Sequence, residues 1–355
     1  MLGLGMVPAA ATTPAPDFDH HVVVIGTGGL RWTDVDQTPA IANFAAVSAV
    51  GNLVVRNVRS STCPADGWIA FSAGRRAGDA INGAGGPCRY LQNPANTNPV
   101  LGQPTVDAVA PDWQVFSDAV ASQSYDATLG SFGQAMAQSG VSVAGVGPGA
   151  AIALARPDGQ VTGDFYPRPA GAVEFAAQIN AAVTQHTAPD RLTVVDIGAL
   201  RIPNTADLSD PTAAATLSQI DARFETTLRA IYAQDPGLTH TTVMLASLAD
   251  PVGAPRLSIL AMAGQQVNGN FLTSPSTKQT GFNQSTDLPT TVFSLLGVSD
   301  QVNRATFVGS VVAPEFVGGT ATDRIDSLID AEDHTLATRP LVEKFFLFYC
   351  IINIL

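Results

Sequence analysis

Stretches that read as buried strands alternate along this chain with stretches that read as helices. That pattern predicts an α/β protein, a three-layer sandwich around a mostly parallel central sheet. Two observations carry the prediction. His21-Val22-Val23-Val24-Ile25 is a continuous apolar run closing on Gly26-Thr27-Gly28-Gly29, the pattern of a central parallel strand and its turn. Beyond Gly130, β-branched runs are separated by helix-length stretches whose apolar residues recur on one face. In such a sheet, reactive groups lie at the C-terminal ends of the strands.

In chain order, residues 12–20 read as a Pro/Thr/Asp linker and 21–25 as the first strand. Thr38-Pro39 opens a helix through Ile41, Phe44, Ala45 and Val47, with proline at a favoured first-turn position. Residues 53–58 read as a second strand. It leads into Arg59-Ser60-Ser61-Thr62-Cys63-Pro64-Ala65-Asp66-Gly67-Trp68, and Trp68, Ile69, Ala70 and Phe71 begin a buried helix. Residues 92–114, rich in Asn and Pro, read as a surface excursion. A helix over 130–139 is followed by strands over 141–146 and 150–155. Residues 171–186 read as an amphipathic helix, and 192–196 as a buried strand ending on a carboxylate. A longer helix over 211–233 places Leu217, Ile220, Phe224, Leu228 and Ile231 on one face. Strands over 241–246 and 257–262 precede a helix that runs from Asp287, its expected N-cap, through Leu296.

With 355 residues, 46% of them hydrophobic and 14% charged, the chain supports one large domain or two modest ones and is not mainly disordered. A net charge of −12 argues against nucleic-acid binding through a basic face. Lys278 and Lys344 are the only lysines, and no Lys/Arg-rich stretch marks a site for anionic lipid. The Ala/Arg-rich, Lys-poor composition points, through codon usage alone, to a high-GC bacterial source. Residues 1–20 read as a signal-like segment and linker, 21–335 as one folded domain, and 340–355 as the start of a transmembrane segment or an apolar tail. The two ends together imply an extracytoplasmic, membrane-anchored domain. Cys63 and Cys88 read as a disulfide pair worth about 3 kcal/mol in the chain-entropy picture, or alternatively as two reduced, buried thiols.

A hydroxyl between a strand end and a helix start is where many hydrolases present a nucleophile, although most such residues merely cap the helix. Four pieces of this chain resemble the alkaline phosphatase superfamily of phosphatases, phosphodiesterases and sulfatases. They are Val22 to Arg31 with Thr38-Pro39, Thr62-Cys63-Pro64 with Ser72 to Gly74, Gly130 to Gly147, and Asp287 to Gly297. The resemblance spans roughly residues 20 to 300 and implies an alkaline phosphatase-like fold. It also implies Thr62 as nucleophile and two metal ions, usually zinc, held by Asp and His at strand ends.

This sequence departs from that ligand set. The first Asp position falls on Gly28, the His partner of Asp196 falls on Leu200, and an Asp-His pair falls on Ser247-Leu248-Ala249. Asp196 is then a vestigial metal ligand. Thr62 and Asp66 are the candidate catalytic pair, and Arg31 and Ser61 the candidate groups for a substrate anion. Asp34, Asp36 and Asp250 are substitute ligands or bases. The expected function is a metal-free pseudoenzyme, without cofactor, that binds or scaffolds in the cell envelope. Its expected partners are the membrane, through the C-terminal segment, and an envelope membrane protein. The alternative is a phosphate or sulfate ester hydrolase or transferase with a site rebuilt around zinc or another divalent metal.

Overall fold

The computed structural model describes residues 20–80, 87–95, 100–184, 189–200, 211–251, 255–265, 267 and 270–354. The signal-like segment before His20, the glycine-rich loop at 83–86 and His186 lie outside the described residues. One mixed sheet organises the rest. Its parallel part is built from β1 (His21–Thr27), flanked by β5 (Arg191–Asp196) and β6 (Thr241–Ser247), with β3 (Ser142–Val146) and β4 (Asp164–Tyr166) beyond β5. β7 (Ser258–Gly264) runs antiparallel between β6 and β2 (Ala49–Val54). The short strands β8 (Phe271–Thr273), β9 (Phe282–Gln284) and β10 (Ala313–Glu315) complete that edge. Six of the nine strand pairings among the described residues are parallel, so the sheet is mostly parallel as expected.

Every residue of β1 is buried, because the strand alternates its side chains into two cores. Val22 and Val24 face one core, to which α2 (Pro64–Ala73), α4 (Ser131–Ser139), α5 (Pro148–Leu154) and α8 (Asp287–Leu295) contribute. Val23 and Ile25 face the other, shared with α1 (Pro39–Val47), α6 (Ala172–Thr184), α7 (Pro211–Gln234) and the beginning of α9 (Ala321–Ile354). Helix, sheet and helix make the three layers. The α7 stripe of Leu217, Ile220, Phe224, Leu228 and Ile231 is buried throughout, whereas Val47 at the end of α1 is 74% exposed. α1 receives a tertiary cap: Asp221 of α7 accepts the Ala40 and Ile41 N–H groups at 3.2 and 3.0 Å.

Several expectations need correction. Residues 150–155 are not a strand. Gly147, at φ +90°, turns the chain, Pro148 takes the first helical position, and the alanine-rich run winds into α5. A run that is apolar all round is buried all round, which periodicity alone cannot tell from a strand. The second strand spans Ala49–Val54, earlier than 53–58, because the Val55 carbonyl leaves the ladder to accept the Thr62 hydroxyl. Asp287 is the first residue inside α8, with Thr286 before it. An additional helix, α3 (Trp113–Ala121), follows the Asn/Pro-rich excursion.

Ala321–Ile354 is one helix. The first turns of α9 dock on the sheet, with Leu328 almost fully buried and its carbonyl accepting from the Asn52 side chain at 3.0 Å. After Pro340, Leu341, Phe345, Phe346, Phe348 and Ile352 are exposed. Among the described residues no helix is long and apolar enough to cross a membrane.

The α7–β6 connection makes a first test. Asp235 accepts the N–H groups of Thr239, His240 and Thr241 at 2.8 to 2.9 Å and the Thr239 hydroxyl at 3.0 Å. Burial alone raises its pKa, but the N–H groups of His240 and Thr239 and the Thr hydroxyls outweigh it and hold the carboxyl below its usual value. Asp235→Ala is expected to cost about 1.5–3 kcal/mol at pH 7 in urea unfolding. A carboxyl with a lowered folded-state pKa stabilises above its unfolded value of 3.8 and loses that stabilisation as pH falls through the folded value. The gap between variant and parent therefore closes below about pH 4.

Candidate functional site

Thr62 lies between β2 and α2 with no solvent exposure. Its hydroxyl donates to the Val55 carbonyl at 2.6 Å and accepts the Asn57 N–H at 3.3 Å. Its N–H donates to Asp250 Oδ2 at 2.7 Å, and its carbonyl accepts the Asp250 N–H at 3.0 Å. The proton that a nucleophile must give up is held by a main-chain carbonyl, and the side chain has no solvent exposure. Asp66 is equally committed. Its carboxylate accepts the Cys63 N–H at 2.9 Å and the Asp79 N–H at 2.7 Å, and it pairs with Arg59 Nε at 3.1 Å. Burial pushes its pKa up against the pull of Arg59 and the two N–H groups. Both side chains clasp the start of α2, where a first-turn carboxylate suits the helix dipole.

The other candidates are dispersed. Arg31 pairs with Asp34, Nη2 to Oδ1 at 3.0 Å, and its own N–H donates to Asp34 Oδ2 at 2.9 Å. Ser61 is half-buried beside Thr62, and Asp36 is exposed. Asp250 Oδ1 accepts the Arg256 N–H at 3.0 Å. Cys63 and Cys88 form a disulfide with Cα atoms 5.4 Å apart, and this pins the segment carrying Arg89 and Tyr90 against the start of α2.

Two sequence candidates line cavities: Asp250 one beside α9, and Asp196 another at the sheet edge. Asp196 closes β5 and is almost fully buried, beside an opening of about 130 Å³ lined also by Thr27, Trp68, Arg89, Arg168 and Gly198. Oδ2 accepts the Gly149 N–H in the first turn of α5 at 2.8 Å, and Oδ1 accepts the Gly198 N–H at 2.8 Å. Oδ1 also pairs with Arg168 Nη1, which donates in addition to the Asp196 carbonyl at 3.1 Å. Gly147 permits this approach: a Cβ there would lie 2.9 Å from the Asp196 carbonyl oxygen and 3.2 Å from Arg168 Cβ. Arg223 of α7 stands nearby, donating to the Ile197 carbonyl at 3.2 Å and lying 5.6 Å above the Phe175 ring. Burial, then the neighbouring Arg168, pushes its pKa down to about 10. Neither arginine stands in a recognisable motif, so the sequence does not announce them.

The space where metal ligands would converge is packed. A Cβ on Gly28 would meet Ala249 Cβ at 2.9 Å and Ala199 Cβ at 3.2 Å. The Trp68 indole lies directly over the missing Cβ positions of Gly26 and Gly149, and Leu200 and Leu248 are buried. Among the described residues no group of three or more His, Cys, Asp or Glu side chains is placed to hold a metal ion. The residues present do not fit the two-metal centre that the resemblance implies. They make a small cleft bordered by Arg89, which pairs with Asp79, and by Arg168, which pairs with Asp196.

No protein family and no curated protein matches the sequence. Solved structures similar to the chain include the alkaline phosphatase from the Antarctic bacterium TAB5, at TM-score 0.45 and 11% identity over 79% of this chain and 98% of that one. Murine ectonucleotide pyrophosphatase/phosphodiesterase 5 is similar at TM-score 0.47 and 11% identity, over 79% of this chain and 100% of that one. The structure of Ps i-CgsB is similar at TM-score 0.46 and 11% identity, over 83% and 75%. The chain's own topology establishes a three-layer α/β fold with a mixed, mostly parallel sheet, and an Arg168–Asp196 pair at the C-terminal edge of that sheet.

Proposed function

We propose that this protein binds rather than hydrolyses: a metal-free pseudoenzyme of alkaline phosphatase-like architecture, with a binding or scaffolding role at the outer side of a cell membrane. The observation that carries the reading is the state of Asp196. Arg168 and the N–H groups of Gly149 and Gly198 take both of its oxygens, so a guanidinium neutralises the carboxylate where a metal ion would. The buried, inward-donating hydroxyl of Thr62 supports the loss of nucleophilic chemistry. The Cys63–Cys88 disulfide supports an oxidising compartment, and the exposed apolar end of α9 supports contact with a membrane surface or an envelope membrane protein.

The test is elemental analysis of the purified protein together with hydrolysis of a nitrophenyl phosphate diester. The expected result is substoichiometric metal and no turnover, with Thr62→Ala indistinguishable from the parent in the assay. Stoichiometric zinc or manganese, with turnover lost in Thr62→Ala, would replace this reading by an esterase.

A further inference from the structure

A second cavity, of about 360 Å³, lies away from the Asp196 cleft, between α9, the end of β2, β9 and the segment leading into β7. Arg56, Arg256 and Arg339 line it together with Glu332 and Asp250, the latter already accepting the Thr62 and Arg256 N–H groups, and Val55, Phe282 and Leu336 give it an apolar wall. These arginines are distant in sequence, which is why no basic stretch announces them. The fold gathers them.

We propose that this cavity binds the anionic, hydroxyl-bearing headgroup of a phospholipid. Its phosphate would lie against Arg56, Arg256 and Arg339, and a headgroup hydroxyl would donate to Glu332 Oε1. The proposal rests on the membrane-surface part of the reading above and concerns a site that the metal question does not touch.

Glu332 supplies the first argument. It is 5% exposed, and its Oε1 has no hydrogen-bond partner among the described residues, although the Leu257 N–H serves the carboxylate. A buried acceptor without a donor is costly, and a ligand hydroxyl reaching into the cavity satisfies it. Burial raises the Glu332 pKa, while Arg31 and Arg256 oppose that shift.

The arginines supply the second argument. Among the described residues, none of the three guanidinium groups forms an ion pair with a carboxylate, in a protein whose net charge is −12. Three guanidinium groups lining one cavity match a phosphate, with Arg256 also acting on Glu332 from a distance. The overall charge opposes unspecific attraction to anionic surfaces, so binding there must come from a local site.

Position supplies the third argument and selects lipid over a free phosphate ester. Arg339 immediately precedes Pro340, and beyond it Leu341, Phe345, Phe346, Phe348 and Ile352 are all more than half exposed on α9. An exposed helix end of aromatic and aliphatic residues fits the bilayer interface. A basic group at its base then sits at headgroup level. The apolar wall of Val55, Phe282 and Leu336 suits the glycerol and first acyl carbons behind the phosphate.

The full chain is tested by flotation with vesicles of phosphatidylcholine alone and of phosphatidylcholine mixed with phosphatidylglycerol, and by titration with glycerol 3-phosphate. We expect preference for the phosphatidylglycerol vesicles by about tenfold or more, and weakening by about tenfold in Glu332→Leu, the scale of a hydrogen bond to a charged group. The sign is decisive. Unspecific electrostatics would make Glu332→Leu bind anionic vesicles more tightly, because a negative charge is removed. Arg339→Gln, on an exposed position of α9, is expected to weaken binding without changing the melting temperature, and it stands in should Glu332→Leu fail to fold. Equal binding to both vesicle types would overturn the headgroup site while leaving membrane contact through α9 intact. Stronger binding by Glu332→Leu, or glycerol 3-phosphate binding as tightly as the vesicles do, would overturn it as well.

Discussion

Trp68→Ala is expected to destabilise the protein by about 3–5 kcal/mol, measured as a shift of the urea unfolding midpoint. Trp68 is 2% exposed and fills the space left by two residues without side chains, Gly26 at the end of β1 and Gly149 in α5. It also begins a series of aromatic contacts that ties three helices to the loop after α8. Trp68 meets Phe71 at 6.3 Å between ring centroids, Phe71 meets Phe132 at 4.9 Å, Phe132 meets Phe293 at 5.2 Å, and Phe293 meets Phe307 at 4.8 Å. Each edge-on or offset pair adds to the burial of the rings. Glycine backbone on two sides cannot collapse onto the void, so the full cavity cost is expected. A loss under about 1 kcal/mol would mean that the surroundings refill the space, and that Trp68 does not exclude other groups from the sheet edge.

The elements read correctly from sequence are those whose pattern is local. β1 is a continuous apolar run, and α7 shows a 3.6-residue stripe over its whole length. At α5 a short apolar run fits a buried strand and a buried helix equally well, and only Gly147-Pro148 before it distinguishes them. β4, β8, β9 and β10 have three residues each, too few to show a period, and they exist through pairing with distant segments. The candidate site divides along the same line. A carboxylate closing a strand made Asp196 legible, and so did the positions where Gly28, Leu200, Leu248 and Ala249 depart from the expected ligands. Arg168, its partner, comes from the segment after β4 and meets Asp196 only because Gly147 lets the chain pass so close. Thr62 was legible as a hydroxyl at a strand-to-helix turn. Its direction was not, since that depends on where β2 stops and leaves the Val55 carbonyl free to accept it.

Arg168→Ala provides the strongest test of how the sheet edge is held. Asp196 is almost fully buried at the end of a central strand, and the substitution leaves its charge with the Gly149 and Gly198 N–H groups and the more distant Arg223 guanidinium. Breaking a buried pair by removing one partner costs about 3–5 kcal/mol, because the remaining charge is uncompensated. The expected result is therefore a loss of that size at pH 7, with recovery of part of it when Asp196→Asn is added in the same chain. The amide keeps an oxygen for a neighbouring N–H and carries no charge, so the double-mutant cycle is expected to show a coupling of about 1–3 kcal/mol. Zinc added to Arg168→Ala distinguishes the two readings of this edge. If the guanidinium has taken over the work of a metal in a site with no other ligands, zinc leaves the midpoint unchanged, since Gly28, Leu200 and Ala249 offer it nothing. Restoration of the midpoint by stoichiometric zinc would mean that Asp196 still finds enough ligands to hold a cation, and the arginine would be a plug rather than a replacement.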